Sequence, residues 1–459
     1  MGRIEHVGVI DIGKTNAKLA VVDLETPTEI GVLKRPNTVL AGPPYPHYDI
    51  DGLWEFLLSA LAELHQAHRI DAISVTTHGA SLVLLDASGG LAAPMLDYEF
   101  DGPDLLAKDY DAIRPDFSET GSPRLPLGLN AGAQLFWQFA SDPDLKARVR
   151  TVLTYPQYWS YRLTGRLASE VTSLGCHTDL WNPRARRFSS LVERLGLTQK
   201  MAPVTEAADC TGTLLPGIAQ RTGLPEGLTV ACGIHDSNAS LYPHLLKRSP
   251  PFSVVSTGTW VIALSLGGRD IPLDPARDTL INVNAFGDPV PSARFMGGRE
   301  FDLVVAGRPG AATDAEVARV LDRCIMLLPA VEPRSGPFQG RESRWTVDDK
   351  TLTDGERFTA VSFYLALMTT ECLTITGADG QTLVEGPFAG NALYAQMLEA
   401  ATGRPVVTSE GSATGTSIGA ALLVGGDLAG AREVGAEERE VRTDGAMTTY
   451  AARWREFLE

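Results

Sequence analysis

A strand, a tight turn of small or hydroxylated residues, and a second strand occur twice in the chain, each copy opening one half. In the first copy Val7-Gly8-Val9-Ile10-Asp11 is an apolar run ending in an acid, Gly13-Lys14-Thr15-Asn16 turns, and Lys18–Asp23 resumes. In the second, Phe252–Ser256 runs into Thr257-Gly258-Thr259, and Trp260–Leu264 continues. Strand–helix alternation follows each copy. The first half predicts a strand over 30–33, a helix over 53–68 with Leu53, Phe56, Leu57, Ala60, Leu61 and Leu64 on one stripe, then strands over 72–76 and 82–85. The second predicts strands over 281–286, 382–385 and 405–408, and helices over 356–376, 391–402 and 416–424. No residue-level repeat accompanies this shared order, which implies two related α/β domains. The polar, doubly proline-punctuated Lys247-Arg248-Ser249-Pro250-Pro251 divides them into 1–247 and 248–459. Residues 100–230 read as an insertion in the first domain, and 329–343 as a surface loop.

Charge and cysteine usage narrow the function classes. Of 459 residues, 56 are Asp or Glu and 40 are Lys or Arg, a net charge of −16. Such a chain repels polyanions, which argues against nucleic acid as a partner. A small anion held by local dipoles and a metal stays compatible. The five cysteines, at 176, 210, 232, 324 and 372, show no CxxC spacing, so a zinc knuckle is not expected and a reducing compartment is. No basic-then-apolar leader opens the sequence and no apolar run of about 18 residues stands out, so the expectation is a cytoplasmic protein that does not span a membrane.

Gly8-Val9-Ile10-Asp11-Ile12-Gly13-Lys14-Thr15 matches the P-loop pattern GxxxxGK[ST] letter for letter. A P-loop needs a strand before its first glycine and a flexible loop between the two. Here the would-be loop is Val-Ile-Asp-Ile, which favours a strand. The alternative is a phosphate-binding hairpin in which Gly13, Lys14, Thr15 and Asn16 present amides, hydroxyls and a cation, and Asp11 faces a magnesium ion. A plain hairpin with Asn and Gly as turn residues would look the same. Thr257, Gly258 and Thr259 repeat the form, and two such turns suggest one nucleotide held by both halves.

Gly233-Ile234-His235-Asp236-Ser237-Asn238-Ala239 lies where a strand over 228–232 meets a helix. Open α/β sheets place their sites at such strand ends. A carboxylate there can take a proton from a hydroxyl nucleophile, though Asp236 as a simple helix cap fits the same pattern. Trp137 and Trp181 are candidate sugar platforms, with aromatic core as the commoner fate. Tyr155, Tyr158, Trp159 and Tyr161 read as a packed helix face.

In their order along the chain these motifs resemble the FGGY family of carbohydrate kinases, in the actin-like ATPase superfamily. Asp11–Lys18 resembles the family's opening phosphate hairpin. Thr76-Thr77-His78-Gly79 with Leu82–Asp86 resembles its sugar-side strand pair. Gly233–Asp236 resembles the segment of the catalytic aspartate, and Ser256–Trp260 the second phosphate hairpin. Glu385–Asn391, with Gln396 beyond it, resembles the adenosine motif, and Gly411–Thr416 the closing segment by the adenine. Three stretches depart from the pattern. Lys14 replaces a small or hydroxylated residue, Glu385 and Pro387 interrupt a glycine run, and Asp97-Tyr98-Glu99 stands where many members carry Asp-x-Arg.

The resemblance implies an α/β protein of two actin-like (ribonuclease H-like) domains flanking a deep cleft. The N-terminal domain would bind sugar and carry the catalysis; the C-terminal domain would bind nucleotide. The implied activity is ATP- and Mg²⁺-dependent phosphorylation of a terminal hydroxyl of a ketose, with deoxyketoses such as L-rhamnulose or L-fuculose among the candidates. The implied base is Asp236, and the implied sugar contacts are His78, Gly79, Asp97, His235 and Asp236. Gly13, Lys14, Thr15, Asn16, Lys18, Thr257, Gly258, Thr259, Gly386, Phe388, Gly390, Asn391 and Gly415 would hold the nucleotide and its phosphates. Asp11, through water, and Asp236 would hold the metal. Sugar and ATP are the expected partners, and a homodimer is compatible with the sequence. The rival readings are a xylulose- or polyol-type kinase of the same family, a P-loop ATPase, and a non-catalytic actin-like ATP-binding module.

Overall fold

The computed structural model describes residues 3–308, 310–409, 415–424, 438–441 and 445–458. The chain forms two compact units. One comprises Met1–Lys247, Ile281–Pro289 and Thr414–Val434; the other comprises Arg248–Leu280, Val290–Ala413 and Gly435–Glu459. The units therefore do not correspond to two uninterrupted halves of the sequence.

In the first unit His6–Ile12 and Asn16–Asp23 pair antiparallel as a hairpin, and Thr28–Pro36 extends its outer edge. His6–Ile12 pairs in parallel with Ala72–Thr77 on its other side. Beyond Ala72–Thr77 lie Thr229–Ala231 and then Cys210–Thr213, and Ile234–His235 continues beside Thr76 and Thr77. The inner strands are buried on both faces, as in parallel sheets: every residue of Ala72–Thr77 is buried, Ser74, Thr76 and Thr77 included. Gly8 sits inside the first strand, opposite Val21 and Ile73, and a second strand rather than a helix follows Lys14. That arrangement overturns the P-loop reading.

The helix Ile50–His68 starts at Asp49, whose carboxylate accepts from the Gly52 amide at 3.0 Å. It buries Leu53, Trp54, Leu57, Leu58, Leu61 and Leu64 in the core that also holds Ile10, Leu19 and Ile73. The helix Asp236–Lys247 packs against Gly415–Leu422 of the same unit. At Gly419 a Cβ would lie 1.7 Å from the Ala239 carbonyl oxygen, so these two helices approach at backbone distance. Trp181 packs on Phe188, and Trp137 on Tyr45 and Phe100, which makes both tryptophans part of aromatic clusters. Tyr155, Tyr158 and Trp159 are buried along the helix Tyr155–Thr164.

The second unit repeats the plan. Phe252–Thr257 and Val261–Leu266 form a hairpin, Gln381–Glu385 lies parallel beside its first strand, and Val406–Ser409 follows in parallel. Pro289–Phe295 covers the other strand of the hairpin. The strand expected over 281–286 runs instead over Thr279–Val283, a segment counted with the first unit from Ile281 on. It stops because the Asn284 side chain accepts from the amides of Phe286 and Asp288, at 2.9 and 3.0 Å, and turns the chain.

Asp354–Ile375 is the centre of this unit's core. A reciprocal cap between Thr353 and Glu356 starts it, and Phe363, Tyr364, Leu365 and Met368 are fully buried. Thr359, Thr369 and Thr370 return their hydroxyls to carbonyls one turn back, so the buried polar groups are satisfied. With a mean hydropathy of 1.4 over 18 residues the helix is long and apolar enough to cross a membrane, and 78% of that window is buried within the unit. It is apolar all round because it is enclosed all round.

Candidate active site

Three neighbouring strand ends gather the titratable groups of the first unit. The strand His6–Ile12 delivers Asp11, the strand Ala72–Thr77 delivers His78 and Gly79, and Ile234–His235 delivers Asp236. Because these strands are parallel neighbours, their carboxyl ends lie side by side.

Asp236 begins a 12-residue helix, and its side chain is 33% exposed. Oδ1 accepts from the Ser237 amide at 2.6 Å and lies 3.1 Å from His235 Nε2. These contacts fix Oδ1 while one edge of the carboxylate reaches solvent. The His235 ring also meets Cys176 Sγ, 3.5 Å from Nε2, and Asn238, 3.3 Å from Nδ1. Burial would lower the pKa of His235, but the Cys176 thiolate and the Asp236 carboxylate outweigh it and hold it up to about 9. Burial would raise Cys176, and His177 and His235 reverse this, holding it down to about 5. A Cβ on Gly79 would come within 2.8 Å of His235 Nε2 and 3.0 Å of Cys176 Sγ. Glycine at 79 therefore leaves the space this pair occupies.

Asp11 is mostly buried, with Lys18 Nζ at 3.2 Å and Ser417 Oγ at 3.2 Å. Burial raises its carboxyl above the usual range; Lys18 works against that, and the nearby Asp236 charge adds to it. Lys18, expected to reach phosphate, is paired with Asp11 and with Glu29 at 2.8 Å. Lys14, also expected on the phosphate side, is paired with Asp97 and, at 3.2 Å, with Glu99. Gly13 makes the hairpin turn, donating to the Asn16 carbonyl at 2.9 Å, and the side chains of Thr15 and Asn16 bond each other. Gly415 opens the helix Gly415–Leu422, packing near Ser240. Residues 411–414, expected to close over a base, lie outside the described residues.

The donor set suits Mg²⁺. Among the described residues no three His, Cys, Asp or Glu side chains converge as a protein metal cage. The Asp236 charge adds to the cost of ionising Asp11, and Mg²⁺ typically uses one or two carboxylates, water and substrate phosphates.

The second unit contains a cavity of about 790 Å³. Gly258 and Thr259 of the hairpin turn line it, with Gly298, Phe301, Phe358, Phe388, Gly390 and Asn391. Apolar and aromatic walls with glycine backbone at the rim are what a flat heterocycle needs. Gly298 was not foreseen. A Cβ there would meet the Gly258 carbonyl oxygen at 2.2 Å, so the Gly297–Val305 helix start and the hairpin turn touch through backbone. The Gly297-Gly298 pair straight after a strand was the available signal. Thr257 does not offer its hydroxyl to a ligand: it donates to the Glu385 carbonyl and accepts from the Phe388 amide at 3.0 Å. Asn391 is likewise engaged, capping its helix through Tyr394 at 3.1 Å and donating to Ser362 at 2.9 Å. Gly386, at φ +82°, turns the chain between these bonds.

A hairpin recurs in both α/β units; the first adds carboxylates at its strand ends and the second a glycine-rimmed aromatic cavity. Residues 114–242 match the N-terminal domain of the FGGY family of carbohydrate kinases and 249–433 match the carbohydrate kinase FGGY C-terminal domain. The chain is similar to the crystal structure of a carbohydrate kinase from Novosphingobium aromaticivorans, at 37% identity and a TM-score of 0.91, covering 98% of this chain and 100% of that one. It is 25% identical to the L-fuculokinase of Salmonella typhi over 273 residues, 57% of this chain and 56% of that protein. It is also 25% identical to the rhamnulokinase of Pectobacterium atrosepticum over 270 residues, 56% of this chain and 52% of that protein. The chain thus spans about half the length of these curated relatives. It belongs to the FGGY family of carbohydrate kinases, with the family's two-domain actin-like fold.

Proposed function

We propose that the protein transfers the γ-phosphoryl group of ATP to a terminal hydroxyl of a ketose, with L-fuculose, L-rhamnulose and xylulose as the nearest candidates. The observation that carries this reading is Asp236, a partly exposed carboxylate at a strand end, held by its own helix and a cationic His235. An ionised carboxylate in that setting can accept the acceptor hydroxyl's proton as the oxygen attacks phosphorus in line. Asp11, through water, and Asp236 are the side chains that would hold Mg²⁺, which would supply screening of the phosphate charge. The cavity lined by Phe301, Phe358, Phe388 and Gly390 suits adenosine, and the amides of the Thr257–Thr259 turn suit its phosphates.

The test is ADP release with MgATP and a panel of ketoses and polyols, repeated with Asp236→Asn. Asparagine caps about as well as aspartate, so a purely structural Asp236 predicts normal stability and normal turnover. A base predicts normal melting and a kcat lower by about 10²–10⁴-fold. Near-normal kcat in a folded Asp236→Asn would remove Asp236 from the chemistry. ADP release that no sugar stimulates would favour a plain nucleotide-binding module.

A further inference from the structure

Lys14 departs from its family's pattern, and its surroundings show what the departure does. Its ammonium group pairs with Asp97 and Glu99, lies 3.4 Å from Tyr48 Oη and sits 4.7 Å from the centre of the Tyr98 ring. A cation is missing at position 99, where the sequence has Glu, and one stands at position 14 instead. Three donors converge on Asp97 Oδ1: Lys14, Tyr48 Oη at 3.2 Å and the Glu99 amide at 3.1 Å. None of them uses Oδ2.

Beside this cluster stands His78, only 6% exposed, its ring 5.3 Å from Tyr48 and 5.3 Å from Tyr98. Nδ1 lies 2.9 Å from the Gly79 carbonyl oxygen and so must carry the proton. Burial lowers the ring's pKa to about 4, which keeps it neutral. Nε2 is then an acceptor, and among the described residues it has no partner. A buried acceptor without a donor calls for a donor from outside the chain.

We propose that Lys14 is a specificity-determining positioning residue of the acceptor subsite: by fixing Asp97 through Oδ1 it presents Oδ2, alongside His78 Nε2, to hydroxyl donors of an uncharged polyhydroxy acceptor. Both presented atoms accept hydrogen bonds, so the ligand has to donate them. One ammonium faces two carboxylates, leaving the cluster negative. A carboxylate-bearing sugar acid brings acceptors and like charge to this place, and the cluster disfavours it. The proposal rests on the sugar-kinase reading.

The experiment measures ADP release by the full chain with MgATP and, as acceptors, L-fuculose, L-rhamnulose, L-xylulose and D-gluconate, for the unaltered protein, Lys14→Ala and Lys14→Arg. The expected results are a kcat/KM at least about 100-fold higher for the best ketose than for gluconate, and an acceptor KM raised about 10-fold or more in Lys14→Ala. The ATP KM should stay within about twofold, and Lys14→Arg should recover most of the acceptor affinity. Melting curves accompany each variant; if Lys14→Ala unfolds early, Lys14→Met carries the same prediction. A raised ATP KM with an unchanged acceptor KM would return Lys14 to the phosphates and overturn the proposal. So would equal use of gluconate and ketose by the unaltered protein. Absence of turnover with every acceptor would instead take down the kinase reading, and the proposal with it.

Discussion

Two glycines four residues apart, Gly386 and Gly390, both belong to the segment expected to meet adenosine, and the structure assigns them opposite fates on mutation. Gly386 has φ +82° and ψ −164°, a region essentially reserved for glycine, where any other residue costs about 1–3 kcal/mol. A Cβ would also sit 2.1 Å from the Thr257 carbonyl oxygen, a backbone atom that no side-chain rotation can move away. Shifting it disturbs the bond from the Phe388 amide to Thr257 Oγ1, worth roughly 0.5–1.5 kcal/mol. Gly386→Ala should therefore destabilise the second unit by about 2–4 kcal/mol. At roughly 2–4 °C per kcal/mol, its melting point falls by about 5–15 °C. Gly390 has no such constraint: a Cβ there meets nothing within 4 Å, and the residue lines the cavity. Gly390→Arg should melt within about 2 °C of the unaltered protein and raise the ATP KM about 10-fold or more by filling space. Differential scanning fluorimetry and a coupled ADP assay at varied ATP read the two effects separately. A Gly386→Ala protein that melts normally would refute the backbone reasoning. A Gly390→Arg protein with unchanged ATP KM would remove this cavity from the nucleotide site.

Two further predictions concern charge. The Cys176–His235 pair holds one proton between about pH 5 and 9, whereas the separated groups, with ordinary values of 9.0 and 6.5, hold two below 6.5. The depressed thiol adds stability that is lost as pH falls toward 5; the raised imidazole adds stability that is lost as pH rises toward 9. Their sum rises between pH 5 and 6.5 and then stays level. Cys176→Ser should shift the His235 imidazole proton resonance to titrate at least about one unit lower, and an unmoved titration would dissolve the pair. Glu300 is fully buried, and burial raises its carboxyl to about 7 despite the Glu332 amide 2.9 Å away. The folded state then holds the extra proton between about 4.5 and 7, so stability falls as pH rises across that window. Glu300→Gln should melt higher than the unaltered protein at pH 8 and lose that advantage by pH 5; a difference independent of pH would count against this.

What the sequence revealed was local chemistry in order. Apolar run, acid, glycine turn and apolar run is enough to write the hairpin at Asp11–Asn16, and its echo at Thr257–Thr259 discloses the second unit. His235-Asp236 between strand and helix could be placed at a strand end because that junction has its own composition. The partners of long polar side chains were not legible. Lys14 and Lys18 sit in a phosphate-type turn, yet their charges are taken up by Asp97, Glu99, Asp11 and Glu29, whose positions depend on tertiary packing. The hydroxyl of Thr257 and the amide of Asn391 looked like ligand contacts because their bonding partners, Glu385, Phe388 and Ser362, are remote in sequence. Cys176 showed nothing by spacing, since its meaning comes from His235, 59 residues on. The helix expected over 356–376 is found over Asp354–Ile375; the threonines and serine that break its apolar run turn their hydroxyls back onto the helix itself once folded.

The helix Gly415–Leu422 sets a timetable for synthesis. It belongs with the first-made unit: Ser417 reaches Asp11 across 406 positions, and Ile418, Ala420 and Ala421 share a buried cluster with Val7, Val9, Ile234 and Ala239. A ribosome adding roughly 5–20 residues per second needs on the order of 10–35 s to travel from Lys247 to Leu422. For that interval the nascent unit carries an uncovered apolar face, and most of the second core is translated before the first can be finished, the buried residues of Gly445–Glu456 coming later still. The part of the protein that begins first thus waits on a segment made after most of its neighbour, and a message cut anywhere before codon 415 yields a first unit whose seam has no closure.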